Sequence, residues 1–364
     1  MTSGPRIAVV GAGAWGTTLA ILIARRERVV LVAHSAEAAE RLAADRVNAR
    51  RLPAIPFPAR LEVGFEPNVL GTAELVVFAV PSSHLRAEVA RLAGSIPSGA
   101  DLVSVVKGLE GGTLLRMSQV IAEAGQFDPS RIAALSGPNL ALEIARGLPA
   151  SAVVASEDEA LASRVQQRLG LRRFRLYVNR DIIGVELCGA LKNVLAIAAG
   201  ATEELGFGDN GKAGLMTRGL AEMTRLGIAA GANPLTFAGL AGIGDVIATC
   251  GSPLSRNHRL GVELARGRRW ADIEADLPGV AEGAYTVDAA IALADRLGGR
   301  DADRPRGPPR VIRGQEREAL PGRPAGPRVE ERAGRLSRVA DRPRAGLINS
   351  SARLGLSSGR GAVW

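Results

Sequence analysis

Aromatic residues are scarce in this sequence: Phe, Trp and Tyr make up 3% of its 364 residues. Modules that bind nucleic acid by stacking bases on aromatic rings need more of them, so no nucleic-acid partner is expected. Cysteine is equally thin. Cys188 and Cys250 are the two present, too few for a disulfide framework, and a reducing cytoplasm is the simplest home. No uninterrupted run of about 18 apolar residues occurs, so no membrane insertion is expected. The opening stretch MTSGPRIAVVGAGAWG lacks a charged segment ahead of its apolar run and does not read as a signal peptide.

Lysine is rare as well. Of 46 basic residues only Lys107, Lys192 and Lys212 are lysines. A guanidinium keeps its proton near neutral pH, whereas an ammonium can release one when its surroundings lower its pKa. A lysine kept in an arginine-rich chain is therefore a candidate for chemistry, Lys107 and Lys192 more than Lys212. The net charge of +9 is misleading. Residues 301–364 hold fourteen Arg and seven acids, so most of the excess lies there and says nothing about a polyanionic partner for the rest.

What the chain does have is alternation. The runs RIAVV, VVLVAHS, ELVVFAVPSSH, DLVSVVKGL, RIAALSGPN and ASAVVAS read as buried strands. They alternate with helical segments such as TTLAILIARR and AEAAERLAADRVNARRL. This is the pattern of an α/β doubly wound, Rossmann-type parallel sheet, expected over residues 1–180. Residues 181–300 are expected to form an all-α domain, with helices over 181–201, 211–231, 234–248, 255–267 and 285–297. From residue 301 the composition breaks. Seven Pro, nine Gly and fourteen Arg in 64 residues cannot bury a core, so the sequence predicts a disordered tail over 301–364.

Gly11-Ala12-Gly13-Ala14-Trp15-Gly16 fits G-x-G-x-x-G directly after a strand and at the start of a helix. That context is what a dinucleotide site requires. The first glycine allows the tight turn, the second lets backbone approach the pyrophosphate, and the third lets helix pack on strand. The anion would sit on free N–H groups at the helix N-terminus. After the second strand come Ala33-His34-Ser35, with no acid before Glu37. No carboxylate claims the ribose 2′-OH, and His34 and Ser35 could donate to a 2′-phosphate. The reading favours NADP(H), with NAD(H) open.

Hydride transfer to a carbonyl needs a proton donor for the alkoxide that forms. The helix ELCGALKNVLAIAAG places Lys192 and Asn193 in an otherwise small and apolar segment, and both are catalytic candidates expected to face a cleft between the domains. At about 100° per residue, Gly189 projects between them and leaves room, while Glu186 lies nearly in line with Asn193. A buried ammonium is costly unless paired. Asp245, in the apolar run GLAGIGDVIATC, is the conspicuous partner. In SPLSRNHR, the consecutive donors Ser255, Arg256 and Asn257 open a helix and suit a phosphate; plain capping is the alternative.

These segments, in this order, resemble the bacterial type of NAD(P)-dependent glycerol-3-phosphate dehydrogenase. GAGAWGTTLA, SGPNLALEIARG, ELCGALKNVLAIAAG, TRGLAEMTRLG, TFAGLAGIGDVIATC and SRNHRLG carry the likeness, from about residue 5 to residue 299. The resemblance implies interconversion of dihydroxyacetone phosphate and sn-glycerol 3-phosphate, supplying glycerol 3-phosphate for phospholipid synthesis, in a cytoplasmic homodimer. It implies Lys192 as acid/base with Asp245 beside it, and Lys107 as a second lysine near substrate and cofactor. It places Gly137 and Asn139 at the substrate, Ala141 at the cofactor, and Thr249 at the substrate site. Ser255, Arg256 and Asn257 would hold the substrate phosphate, with Arg256 also reaching the cofactor, and Val280 and Glu282 would lie near the cofactor. No metal is implied. Ala14 stands where the family often has serine, and Asn139 also often appears as serine.

The departure after ALADRLGG is larger. The family continues with a helix beginning near Met-Pro-Ile and then a segment like Phe-Glu-Gly-Lys-Ser. Asp301-Ala302-Asp303 can be encoded GAT GCC GAT, which one nucleotide on reads ATG CCG AT. Ile312–Arg317 can be encoded ATT CGA GGG CAA GAG CGT, which in the same frame reads Phe-Glu-Gly-Lys-Ser. A frameshift near residue 300 is one reading; a genuine basic extension is its rival. Three other functional readings stay open: a cofactor-binding protein impaired by the altered C-terminus, a dehydrogenase of another small hydroxy acid, and nucleic-acid or membrane binding through the arginine-rich residues 301–364.

Overall fold

In the computed structural model, which describes residues 4, 6–277 and 279–298, short runs rich in valine and leucine build a central sheet. Its strands are β1 (Ile7–Val10), β2 (Val29–Val32), β3 (Leu61–Gly64), β4 (Leu75–Phe78), β5 (Asp101–Ser104), β6 (Ile132–Ser136), β7 (Ala150–Ala155) and β8 (Phe174–Asn179). The order is β3-β2-β1-β4-β5-β6-β7-β8. Helices α1 (Ala14–Ile23), α2 (Ala36–Asp45), α3 (Leu85–Leu92), α4 (Met117–Gly125), α5 (Ala141–Ala145) and α6 (Glu159–Leu169) connect them. The chain leaves β1 for β2 on one side and returns to β4 on the other, so the order reverses between β1 and β4. In open α/β sheets a ligand crevice opens at the carboxyl ends of the strands there.

Strand residues alternate between two apolar layers, as the period of two requires. Ile7 and Val9 pack with Leu19 and Ile23 of α1, and with Leu161 and Val165 of α6. Ala8 and Val10 pack with Leu85 and Val89 of α3, and with Val120 and Ile121 of α4. A fully buried Leu or Val of this kind contributes about 1.5–3 kcal/mol. The fold class is therefore the expected one, with one exception: β7 runs antiparallel to β6. The intervening α5 has five residues. At about 1.5 Å per residue it is too short to carry the chain back along the sheet for a parallel return.

Beyond β8 the described residues are helical: α7 (Ile182–Glu204), α8 (Gly208–Ala229), α9 (Pro234–Phe237), α10 (Asp245–Gly251), α11 (Arg256–Ala265), α12 (Trp270–Asp276) and α13 (Glu282–Gly298). The axis of this half is α7, which α8, α10, α11 and α13 all contact. It meets α11 at backbone distance: a Cβ on Gly200 would strike the carbonyl of His258, and one on Gly261 that of Ile197. By length and composition α7 is apolar enough to cross a membrane, as is the segment Pro234–Gly251. Counting uninterrupted apolar runs passes over both. In α7, 78% of the most apolar window is buried inside the protein, which marks it as a core helix.

Other expectations need correction. The edge strands β3 and β8 are absent from the sequence reading. They show exposed positions along their length, unlike the fully buried central strands. The helix expected through AEAAERLAADRVNARRL stops at Asp45, where Arg46 turns left-handed with φ 52°. The single helix expected over 234–248 is broken. Leu240–Gly244 forms a π-helical turn between α9 and α10, and a Cβ at Gly242 would strike the carbonyl of Phe237. The short α12 was not expected at all. Residues 301–364, expected to be disordered, lie outside the described residues, as does the frame question they raise.

Candidate functional site

The glycine turn lies at the β1–β4 reversal. Gly11 has φ 111°, and a Cβ on it would lie 2.7 Å from the Ala79 carbonyl oxygen at the end of β4. Gly16 presses on the turn from above, since its Cβ would strike the Gly11 carbonyl. Gly13 has open space instead, its nearest neighbour being 4.0 Å away, and no side chain caps α1. The first N–H groups of α1 are thus left for an outside acceptor. Asn48, buried, donates to the Ala12 carbonyl and to Thr17 Oγ1, each at 2.9 Å, and fixes the turn from below. Ala14 begins α1, and Trp15 packs edge-on against Phe174 with ring centroids 5.9 Å apart. Thr18 Oγ1 donates to the Ala141 carbonyl at 3.1 Å, bringing α5 alongside α1.

A second cluster forms where the carboxyl ends of β5 and β6 meet α7 and α10. Lys192 Nζ donates to Asp245 Oδ1 at 2.8 Å and to Thr249 Oγ1 at 2.6 Å. Lys107 Nζ donates to Asp245 Oδ2 at 2.6 Å and to the Gly137 carbonyl at 2.9 Å. One carboxylate therefore bridges two ammonium groups. Asp245 is 1% exposed and Lys192 6%. Burial draws the Lys192 ammonium down to about 8; Asp245 opposes this and the charge of Lys107 reinforces it. Burial would raise the Asp245 carboxyl, but the two ammonium groups outweigh it and hold it below the ordinary value.

The room expected beside Gly189 is filled. A Cβ there would lie 2.7 Å from Ser136 Oγ and 3.4 Å from the Lys107 stem, so glycine is what lets Lys107 reach Asp245. Glu186 faces away from the cluster. It is buried and accepts from Arg116 at 2.5 Å and from the Ser118 amide at 2.7 Å, tying α7 to the start of α4. Asn193 does not face an open cleft: its Oδ1 accepts from Asn257 Nδ2 at 2.9 Å, and Asn257 Oδ1 accepts from the Gly283 amide at 2.9 Å. These two asparagines join α7, α11 and α13. Lys212 pairs with Glu203, apart from the cluster.

The remaining candidates divide. Ser255 caps α11, accepting from His258 N at 3.2 Å, and keeps its O–H to donate. Arg256 is exposed, yet the protein around it desolvates the guanidinium and lowers its pKa, with Arg51 adding repulsion. Both guanidinium groups approach Gly279, next to Val280. Glu282 accepts from Ser82 Oγ at 2.5 Å, joining the loop after β4 to α13, and burial raises its pKa. Gly137 is left-handed, φ 150°, with its carbonyl turned to Lys107. Both amide atoms of Asn139 are buried without a partner. Ser35 caps α2 by accepting from Ala38 N. His34 is exposed just beyond the end of β2.

Comparison with known proteins now decides the family. The N-terminal model of NAD-dependent glycerol-3-phosphate dehydrogenase matches residues 6–162, and its C-terminal model matches 181–303. The chain belongs to this family. It is 50% identical over 295 residues to the glycerol-3-phosphate dehydrogenase [NAD(P)+] of Frankia casuarinae, covering 80% of this chain and 88% of that protein. It is 47% identical over 296 residues to that of Chlorobium luteolum, covering 80% and 89%. A crystal structure of glycerol-3-phosphate dehydrogenase from Coxiella burnetii superposes with a TM-score of 0.77 at 37% identity, covering 81% of this chain and 90% of that one.

A dinucleotide fits what this dehydrogenase-family chain offers. The space at Gly13 would be closed by any side chain, and the start of the helix behind it is uncapped. The sequence reading missed three residues here. Asn48 sits in an unpatterned stretch and had no signal. Ser82 follows a strand at the sheet reversal, and that position was the available signal. Arg51 was one arginine among many.

Proposed function

We propose that this chain interconverts dihydroxyacetone phosphate and sn-glycerol 3-phosphate using NAD(P)H, and so supplies glycerol 3-phosphate for phospholipid synthesis in the cytoplasm. The observation that carries this reading is the Lys107–Asp245–Lys192 cluster, with Lys192 near pKa 8. An ammonium poised there releases its proton near neutral pH and can take one back, as a reversible dehydrogenase needs. Asp245 keeps Lys192 aimed and charged. Lys107 and Thr249 orient the substrate oxygen, and Gly137 and Asn139 line its pocket. Ser255, Arg256 and Asn257 hold the phosphate, Arg256 by its fork.

Residues 1–180 hold the cofactor and residues 181–300 the substrate. The nicotinamide cofactor supplies the hydride. Gly11, Gly13, Ala14, Trp15 and Gly16 receive its pyrophosphate, while Ala141, Val280, Glu282, Lys107 and Arg256 contact it further along. Exposed His34 and the free O–H of Ser35 suit a 2′-phosphate, which favours NADP(H) over NAD(H). A homodimer is the expected assembly, read by light scattering.

The test is oxidation of NADPH and NADH by the purified 364-residue chain. Turnover with dihydroxyacetone phosphate but not with dihydroxyacetone is expected. Equal turnover with both would refute the phosphate site. No turnover by a folded chain that binds NADPH would refute the reaction.

A further inference from the structure

We propose that a small pocket at the far ends of α1 and α5 binds an amphiphilic anion and that its occupancy alters cofactor affinity. The pocket, of about 260 Å³, takes in Leu22 in the last turn of α1, whose first turn carries the glycine motif. Its volume is just below the roughly 300 Å³ at which drug-sized ligand pockets begin, so the ligand must be small. Its floor is apolar: Leu22 of α1, Ile144 of α5, and Leu171 and Phe174 at the entry to β8. Leu148, at its lip, is 51% exposed. Arg25, Arg172 and Arg173 also line the pocket.

No acid answers them. Among the described residues the side chains of Arg25 and Arg172 make no ion pair or hydrogen bond, and the Arg173 guanidinium donates to the Gly147 carbonyl at 2.9 Å. An apolar floor ringed by unpaired guanidinium groups suits a ligand with a short apolar body and a phosphate or carboxylate head.

The coupling runs through rings and helices already described. Phe174 forms the pocket wall and packs edge-on against Trp15 of the glycine turn, and the indole N–H of Trp15 is buried without a partner. Leu22 and Ile144 belong to the two helices whose opposite ends carry the turn and Ala141, joined by the Thr18 contact. A ligand that shifts Phe174 shifts Trp15, and with it the first turn of α1.

The probe is octyl phosphate below its micelle concentration, titrated calorimetrically into the full chain. Octanoate, inorganic phosphate and octanol run as separate arms. Saturable one-to-one binding of octyl phosphate or octanoate is expected, whichever binds more tightly naming the head group. Phosphate and octanol should bind at least tenfold more weakly. The double variant R25A/R172A should weaken binding tenfold or more while turnover without the probe is unchanged. Saturating octyl phosphate should change the Kd for NADPH at least threefold in the parent chain and not in the variant. Absence of saturable binding, or equal binding by the variant, overturns the site. An unchanged NADPH Kd overturns the coupling.

Discussion

At residues 11–16 the useful chemistry belongs to the backbone, whereas at Lys107, Lys192 and Asp245 it belongs to side-chain charges taken out of water. The glycine turn works by what is missing: no Cβ at Gly13, no cap on α1, and a carbonyl packed against Gly16. Side-chain identity matters little there, which is why Ala14 can stand where serine is common. The lysine cluster is the reverse. Its geometry is set by two ammonium groups and a hydroxyl that each lie within 3.1 Å of the Asp245 carboxylate, and each charge is tolerated only because the next is present. The first site should fail by steric intrusion and the second by loss of a partner.

Substitutions sharpen that contrast. Lys192→Ala should have the largest effect, lowering kcat for dihydroxyacetone phosphate reduction by about 10² to 10⁴. The Kd for NADPH, read by fluorescence, should stay within about twofold. Asp245→Asn comes next. Removing the shared carboxylate leaves two ammonium groups buried together and should cost about 3–5 kcal/mol of stability in denaturant titrations. Because Asp245 holds the Lys192 pKa up, its loss should also carry that pKa below about 8. Gly16→Ala should cost about 1–3 kcal/mol, since the new methyl meets the Gly11 carbonyl. It should weaken NADPH binding and leave the pH dependence alone. Asn48→Ala is the mildest: losing two hydrogen bonds beneath the turn should cost about 1–3 kcal/mol at most. It should raise the Kd for NADPH without touching the pH profile.

The same contrast explains what could be read in advance. The glycine turn follows a local rule in which spacing, strand and helix are all visible in sixteen residues. The central strands are legible because they are buried on both faces. The edge strands β3 and β8 are half-exposed, so their signal is diluted. Lys192 and Asp245 stood out as charges in apolar runs, and they do meet, 53 positions apart. That Lys107 shares the same carboxylate was not legible, because it depends on Gly189 leaving room for its stem and on the π-helical turn that aims Asp245. The role of Asn193 was legible only as polarity. Its commitment to Asn257 depends on how closely α11 crosses α7, which small residues at Gly200 and Gly261 permit.

The most direct measurement is kcat for reduction of dihydroxyacetone phosphate between pH 6 and pH 10, in the parent chain and in Asp245→Asn. Reduction needs the protonated amine, so kcat should fall as pH rises through about 8, the value burial gives Lys192. In the variant that fall should move to lower pH. A profile that is flat until about pH 10, where an ordinary lysine titrates, or one that Asp245→Asn leaves in place, would contradict Lys192 as the proton donor.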